Sequence, residues 1–192
     1  MDKTLKFALV STMINISFAI YHLAMGFVIS SWWLWTLGSY YFILSIVRFV
    51  VLHSKQKESF ITKFTGWMLV MLSVPLFATV VLSIVQERGR KLNIIVMIAM
   101  ATYAFLKITI ATINFINSCS SKSAALISLR NISFADAFVS IFALQRSMLV
   151  SFEGMSGSEI VIMNAFLGFS VCVIVFMLGI NLVKNKKYYP QL

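Results

Sequence analysis

Long apolar blocks separated by short polar connections run through the whole chain. Each block is about 20 residues long, which is the length that a helix needs to cross the hydrocarbon core of a bilayer. Membrane-spanning strands would instead alternate apolar and polar residues over about 10 positions, and the sequence lacks that alternation. The pattern predicts six transmembrane helices, at about residues 8–29, 32–52, 62–86, 93–118, 127–150 and 159–183.

The composition agrees with this interpretation. The 192 residues are 60% hydrophobic and 11% charged, whereas a soluble domain carries about 25% charged residues. No connection between the blocks is long enough to fold into a separate aqueous domain. We therefore predict an all-α polytopic membrane protein whose residues 1–192 form a single six-helix integral membrane domain.

The basic residues indicate an orientation. A net charge of +10 is common in nucleic-acid-binding proteins, but here Lys and Arg lie mostly between the apolar blocks, where they mark the cytoplasmic side. The expected partner is therefore the lipid bilayer and not nucleic acid, with both termini cytoplasmic. A cluster at 88–91 violates this rule. The cytoplasmic set comprises Lys3, Lys6, Arg48, Lys55, Lys57, Lys63, Lys122, Arg130, Lys184, Lys186 and Lys187.

Two opposite charges lie inside predicted spans. Lys107 is near the middle of the fourth span and Asp136 is near the middle of the fifth. A lone charge at that depth costs about 2.5–3.5 kcal/mol on insertion scales. Because the two residues lie at similar depth on consecutive helices, we expect them to meet.

Polar residues form stripes at helical spacing on four of the spans. In the fourth and fifth spans, the stripes contain Lys107 with Asn114 and Asp136 with Ser140, so these two faces are predicted to be in contact. The first span offers Ser11, Asn15, Ala19, His22 and Gly26, and the second offers Gly38, Tyr41, Ser45 and Arg48. The candidate solute or ion site is therefore Lys107, Asp136, Asn114, Ser140, His22 and Tyr41.

Arg48 and Arg146 lie toward opposite ends of their spans. Long basic side chains in such positions can extend to lipid head groups, so gating or head-group contact is the expected role for both. They also hint at an inverted repeat of three spans each. In both halves the first helix carries a residue that can be positively charged, which is His22 or Lys107. The second helix of each half carries one of these arginines.

A polar interior has two physical interpretations, and the sequence leaves both open. It can be a paired lattice that holds the helices in register, or it can line a wet cavity along a solute pathway. No metal-ligand set, nucleophile elbow or phosphate-binding loop is visible, so we expect no metal, no cofactor and no catalysis. An intramembrane enzyme using His22 with Asp136 is a third hypothesis.

Residues 30–52 (SSWWLWTLGSYYFILSIVRFVVL) and 107–149 are rich in aromatic residues and are flanked by short loops and lysine-rich turns. In this general character the chain resembles small multi-span membrane proteins of Gram-positive bacteria, a group with no established activity. The resemblance implies a bacterial cytoplasmic membrane.

In length and span count the chain is also similar to the substrate-binding subunits of energy-coupling vitamin transporters. Such subunits present a small-residue face to their partner, which here would be Gly168, Cys172 and Gly179 on the sixth span. The leading hypothesis is a membrane protein that binds or transports a small solute or ion. The alternative is a non-transporting subunit or regulatory partner of another membrane protein.

Overall fold

Six α-helices make up nearly all of the described chain. The structure is a computed structural model that describes the backbone of residues 3–54, 57–85, 94–119, 123–151 and 155–184, and their side chains except at 3–8, 29, 96 and 117–119. The helices are α1 (Lys3–Ile29), α2 (Trp32–His53), α3 (Glu58–Val85), α4 (Ile94–Cys119), α5 (Ala124–Ser151) and α6 (Gly157–Lys184). The basic cluster at 88–91 and Lys55, Lys122, Lys186 and Lys187 lie outside these ranges.

All six predicted helices are present, and each is long and apolar enough to cross a membrane. The described residues include no strand. Several helices begin earlier than predicted: α1 begins at Lys3, α3 at Glu58 and α5 at Ala124. The backbone hydrogen-bond ladder continues through the polar residues that flank each apolar block, so the block marks the length able to cross a bilayer and not the full helix.

The first two helices are joined by a tight turn at Ser30 and Ser31. Ser30 has a φ of 52°, and the Ser31 amide donates to the Gly26 carbonyl at 3.0 Å. A left-handed residue followed by this long backward bond is the usual way to close a helix C-terminus. The chain therefore reverses within two residues, and α2 packs antiparallel along α1.

Helix α5 occupies the centre of the bundle. It packs against α2, α3, α4 and α6, while the most extensive contacts in the bundle are those of α1 with α2, α3 with α6 and α4 with α5. In the most apolar stretch of α5, 67% of the residues are buried, compared with 28% in that of α6. Helices α1 and α4 also meet, but over a much smaller contact. The polar stripe of α5 therefore faces protein on several sides.

The helix neighbours repeat between the two halves of the chain. The α1–α2 and α2–α3 contacts have counterparts in α4–α5 and α5–α6, and each helix of the first half also touches its equivalent in the second. The contact of α3 with α5 breaks the pattern, since the described residues give no comparable α2–α6 contact. Apart from the α3–α5 contact, the helix neighbours agree with the predicted repeat of three helices in each half.

Candidate functional site

Lys107 and Asp136 form the predicted ion pair. The Lys107 Nζ lies 2.6 Å from the Asp136 Oδ2, and the side chains are both 1% exposed. Their helices, α4 and α5, form one antiparallel hairpin, so consecutive helices bring the two charges to the same level. The interhelical contact expected from the sequence is confirmed.

Arg48 joins this pair, which the sequence did not predict. Its Nη2 lies 3.3 Å from the same Asp136 oxygen, and its guanidinium also donates to the Ser11 and Ser133 hydroxyls. The side chain is 1% exposed, so in this structure it does not extend toward the helix end as head-group contact requires. The side chain is buried because Arg48 lies on the same face of α2 as Tyr41 and Ser45, and this face packs in the bundle interior. We call Arg48, Lys107 and Asp136 the ion cluster.

A shell of neutral polar groups surrounds the ion cluster. The Asn15 Nδ2 donates to the Asp136 Oδ2 at 2.7 Å, and the Tyr103 hydroxyl donates to the Asn15 Oδ1 at 3.1 Å. On the other side, the Asn114 Nδ2 donates to the Ser133 Oγ at 2.7 Å. Helices α1, α2, α4 and α5 therefore all contribute, and the four predicted polar stripes do converge.

Sequence reasoning left Asn15, Tyr103 and the hydroxyls of Ser11 and Ser133 out of the site. Asn15 was on the predicted stripe of α1, but nothing in the sequence distinguished it from its neighbours. Tyr103 was not singled out at all, although it lies one helical turn before Lys107. Its ring is 5.1 Å from the Lys107 Nζ and stacks on the Phe18 ring at a centroid separation of 3.4 Å. That stack is part of the small α1–α4 contact, which we call the α1–α4 seam.

The remaining predicted residues form a layer beside the ion cluster. The Ser140 hydroxyl donates to the Asp136 backbone oxygen at 2.8 Å and lies 3.1 Å from the Tyr41 hydroxyl. His22 is buried, and its Nδ1 bonds to the Phe18 carbonyl at 2.8 Å. The His22 ring packs on the Tyr41 ring at 5.8 Å between centroids. His22 thus reaches the site through an aromatic contact and not through a direct bond to a charge.

Arg146 lies near the opposite end of the bundle. Its Nη1 donates to the Ser83 carbonyl at 2.5 Å, and its guanidinium lies 4.7 Å from the centre of the Trp33 ring. The side chain is 4% exposed. The two arginines do lie toward opposite ends, as predicted, but both are turned into the protein interior, whereas the sequence had suggested contact with lipid head groups.

Three buried polar atoms of the site have no hydrogen-bond partner among the described protein atoms. They are the Asp136 Oδ1, the Asn114 Oδ1 and the Arg48 Nε. Buried polar groups are almost always bonded, because leaving one unpaired costs about 1–3 kcal/mol. The site therefore has two acceptors and one donor that the described protein groups do not satisfy.

The small-residue face of α6 packs within the chain. A Cβ added at Gly168 would lie 2.7 Å from Val80, and one added at Gly179 would lie 2.8 Å from Val70. Cys172, between them, is 7% exposed. Since Val70 and Val80 belong to α3, the face suggested for a protein partner is already covered by α3, and a partner would need another surface.

No protein-family model matches this chain, and no curated protein matches it in sequence. Among the residues that the structure describes, no three His, Cys, Asp or Glu side chains come together in a way that could hold a metal ion. What the site offers chemically is a set of fixed charges and hydrogen-bonding groups in a region shielded from solvent.

Proposed function

We propose that this chain is an integral protein of the bacterial cytoplasmic membrane, with six spans and cytoplasmic termini, and that its ion cluster binds a small solute or ion that the protein transports. Six helices of 22 to 28 residues support the membrane assignment, because even the shortest is about 33 Å long at 1.5 Å per residue. The excess of Lys and Arg between the apolar blocks supports the orientation.

The observation that carries the solute site is the incomplete bonding of the ion cluster. A purely structural lattice gains from saturating every buried group, since unpaired ones cost more than paired ones return. Here the carboxylate of Asp136 accepts three donors on one oxygen and none on the other. Intramembrane ionisable groups that face the bundle interior commonly mark a solute or ion pathway.

The α1–α4 seam supplies a route to the cluster. Among the helix pairs with more than marginal contact in the described bundle, α1 and α4 have the smallest contact. The Phe18–Tyr103 stack lies in that contact. Tyr103 is linked to Asp136 through Asn15. Separation of α1 from α4 would break this stack and the Tyr103–Asn15 bond, and would uncover the ion cluster. A repeat of three helices in each half, with which the helix neighbours agree, also occurs in transporters whose sites lie near the midplane.

The test is an experimental structure of the full chain in lipid nanodiscs, at a resolution that shows ordered water. We expect a non-protein molecule within hydrogen-bond distance of the Asp136 Oδ1 or the Arg48 Nε. The proposal would be wrong if a protein side chain filled both positions. Arg130, which lies 5.8 Å from the Phe115 ring outside the ion cluster, provides an internal reference for side-chain density.

The alternative is a non-transporting subunit with a structural polar core. It is favoured by the interhelical bonds of Asn15, Tyr41, Arg48 and Asn114, which join helices as register-setting polar groups do. Purification from native membranes in mild detergent separates the two hypotheses. A stoichiometric second membrane protein together with a fully bonded cluster favours the subunit, whereas a lone chain with an occupied cluster favours transport.

A further inference from the structure

We infer that the solute is a small anion with a single charge; this inference rests on the proposed function and specifies its ligand. The ion cluster contains two cations, Arg48 and Lys107, and one carboxylate, Asp136. All three side chains are about 1% exposed, so solvent water does not screen the net positive charge of the cluster. One negative charge from outside would balance the cluster.

The geometry of the donors fits an anion. The Arg48 Nε is buried without a partner among the described atoms, while its two other nitrogens are held by Ser11, Ser133 and Asp136. These bonds fix the guanidinium plane, so the unpartnered Nε–H bond of Arg48 points in a fixed direction. Lys107 contributes a second cation that contacts the same carboxylate oxygen as Arg48. An anion held by this pair would compete with Asp136 for their charge.

A cation fits the same cluster poorly. It would need several oxygen ligands, and the unpaired oxygens are the Asp136 Oδ1 and the Asn114 Oδ1. It would also lie beside two fixed positive charges, whose repulsion is strong where water is excluded. Binding a cation would therefore require one of the two basic groups to leave or to lose its proton.

The experiment uses the purified full chain in detergent, with its unfolding temperature followed by tryptophan fluorescence. The probes are sodium chloride and sodium acetate, titrated at constant sodium concentration and constant ionic strength against a bulky sulfonate buffer salt. Parallel titrations use lithium, sodium and potassium salts of the same sulfonate, and glycine as a zwitterion. We expect chloride or acetate to raise the unfolding temperature saturably, and the other probes to have no such effect.

Two substitutions of opposite sign identify the site. Lys107→Met removes a cation and should weaken the anion affinity by about tenfold or more, whereas Asp136→Asn removes the competing carboxylate and should leave the affinity equal or tighter. Lys107→Arg keeps the charge and should retain anion binding. It takes the place of Lys107→Met in the titrations if that variant does not fold. Lys57→Met changes an exposed lysine and is the matched control, expected to bind as the parent does.

The outcomes are distinguishable. Saturable stabilisation by a lithium, sodium or potassium salt or by glycine, with the order of the two substitutions reversed, would overturn the anion assignment and leave a solute site standing. Failure of both anions to act on the parent chain would also overturn it. The proposed function is decided separately by the density beside the Asp136 Oδ1 or the Arg48 Nε, whatever the charge of the molecule found there.

Discussion

Removing Asp136 should destabilise the protein more than removing Lys107, although the two residues form one ion pair. Asp136→Ala takes away the carboxylate that holds three donors and leaves Arg48 and Lys107, each about 1% exposed, facing each other. Leaving a buried charge without its partner costs about 3–5 kcal/mol. Lys107→Ala is milder, because the carboxylate keeps its bonds to Arg48 and Asn15. It loses one charge-assisted bond, which is worth about 1.5–3 kcal/mol.

Unfolding in mixed micelles with increasing denaturing detergent measures both values, and the double substitution gives the coupling between them. We expect a coupling of about 1–3 kcal/mol, because the residues share one network. Lys57→Ala, on the exposed surface, should change stability by less than about 0.5 kcal/mol. Equal small losses for both residues, or a larger loss for Lys107→Ala, would refute the assignment of Asp136 as the shared acceptor.

Exchange of the two charges is a stricter test of the same geometry. If Lys107 and Asp136 formed an isolated pair, Lys107→Asp combined with Asp136→Lys would restore the interaction. The Arg48 Nη2 is 3.3 Å from the Asp136 Oδ2, so a lysine introduced at 136 meets a guanidinium. We therefore expect the exchange to be at least as destabilising as Asp136→Ala. Recovery of parental stability would show that Arg48 is not bound to Asp136.

Three further predictions concern Arg48, the α1–α2 turn and the α3–α6 packing. Arg48→Lys keeps the charge but loses the fork that binds Ser11 and Ser133, and should lower the unfolding free energy by about 1–2 kcal/mol; an unchanged value would contradict the observed bonds. Ser30→Gly should raise stability by about 1 kcal/mol in thermal unfolding, because Ser30 has a φ of 52°, where a Cβ is strained; a loss would contradict this. Gly179→Ala should cost about 1–3 kcal/mol in the same assay, because the added Cβ would lie 2.9 Å from the Gly66 carbonyl oxygen. Gly157→Ala, where no atom lies within 4 Å of the added Cβ, is its control and should be nearly neutral.

The sequence predicted the helices well, because apolar block length and short connections leave few alternatives. It also predicted the Lys107–Asp136 contact, since two charges inside apolar helices are costly unless they meet. Both residues lie near the middle of their helices, and α4 and α5 are consecutive and similar in length. The two charges are therefore expected at the same level of the bundle.

The remaining members of the site depend on how the helices are rotated and packed, which periodicity alone does not fix. Arg48 lies close enough to its helix end that head-group contact was physically reasonable, and only the burial of its face by α1 and α5 excludes it in this structure. Tyr103 carried no signal, because an aromatic residue in an apolar helix is ordinary until its hydroxyl is seen to bond. The sequence suggested the small-residue face of α6 as the surface for a protein partner, but sequence cannot distinguish packing on α3 from packing on another protein.

The placement of Lys107 and Asp136 on one helical hairpin bears on how such a chain is made. In the membrane assignment proposed above, α4 and α5 would enter the bilayer during synthesis, and a solitary charge in either helix opposes that step. Because α4 and α5 are adjacent in the chain and their charges lie at one level, the hairpin can neutralise itself before the rest of the bundle closes around it. Arg48 lies on α2, which is synthesised earlier, so under the same proposal its charge would meet its acceptor only when this hairpin packs against α2.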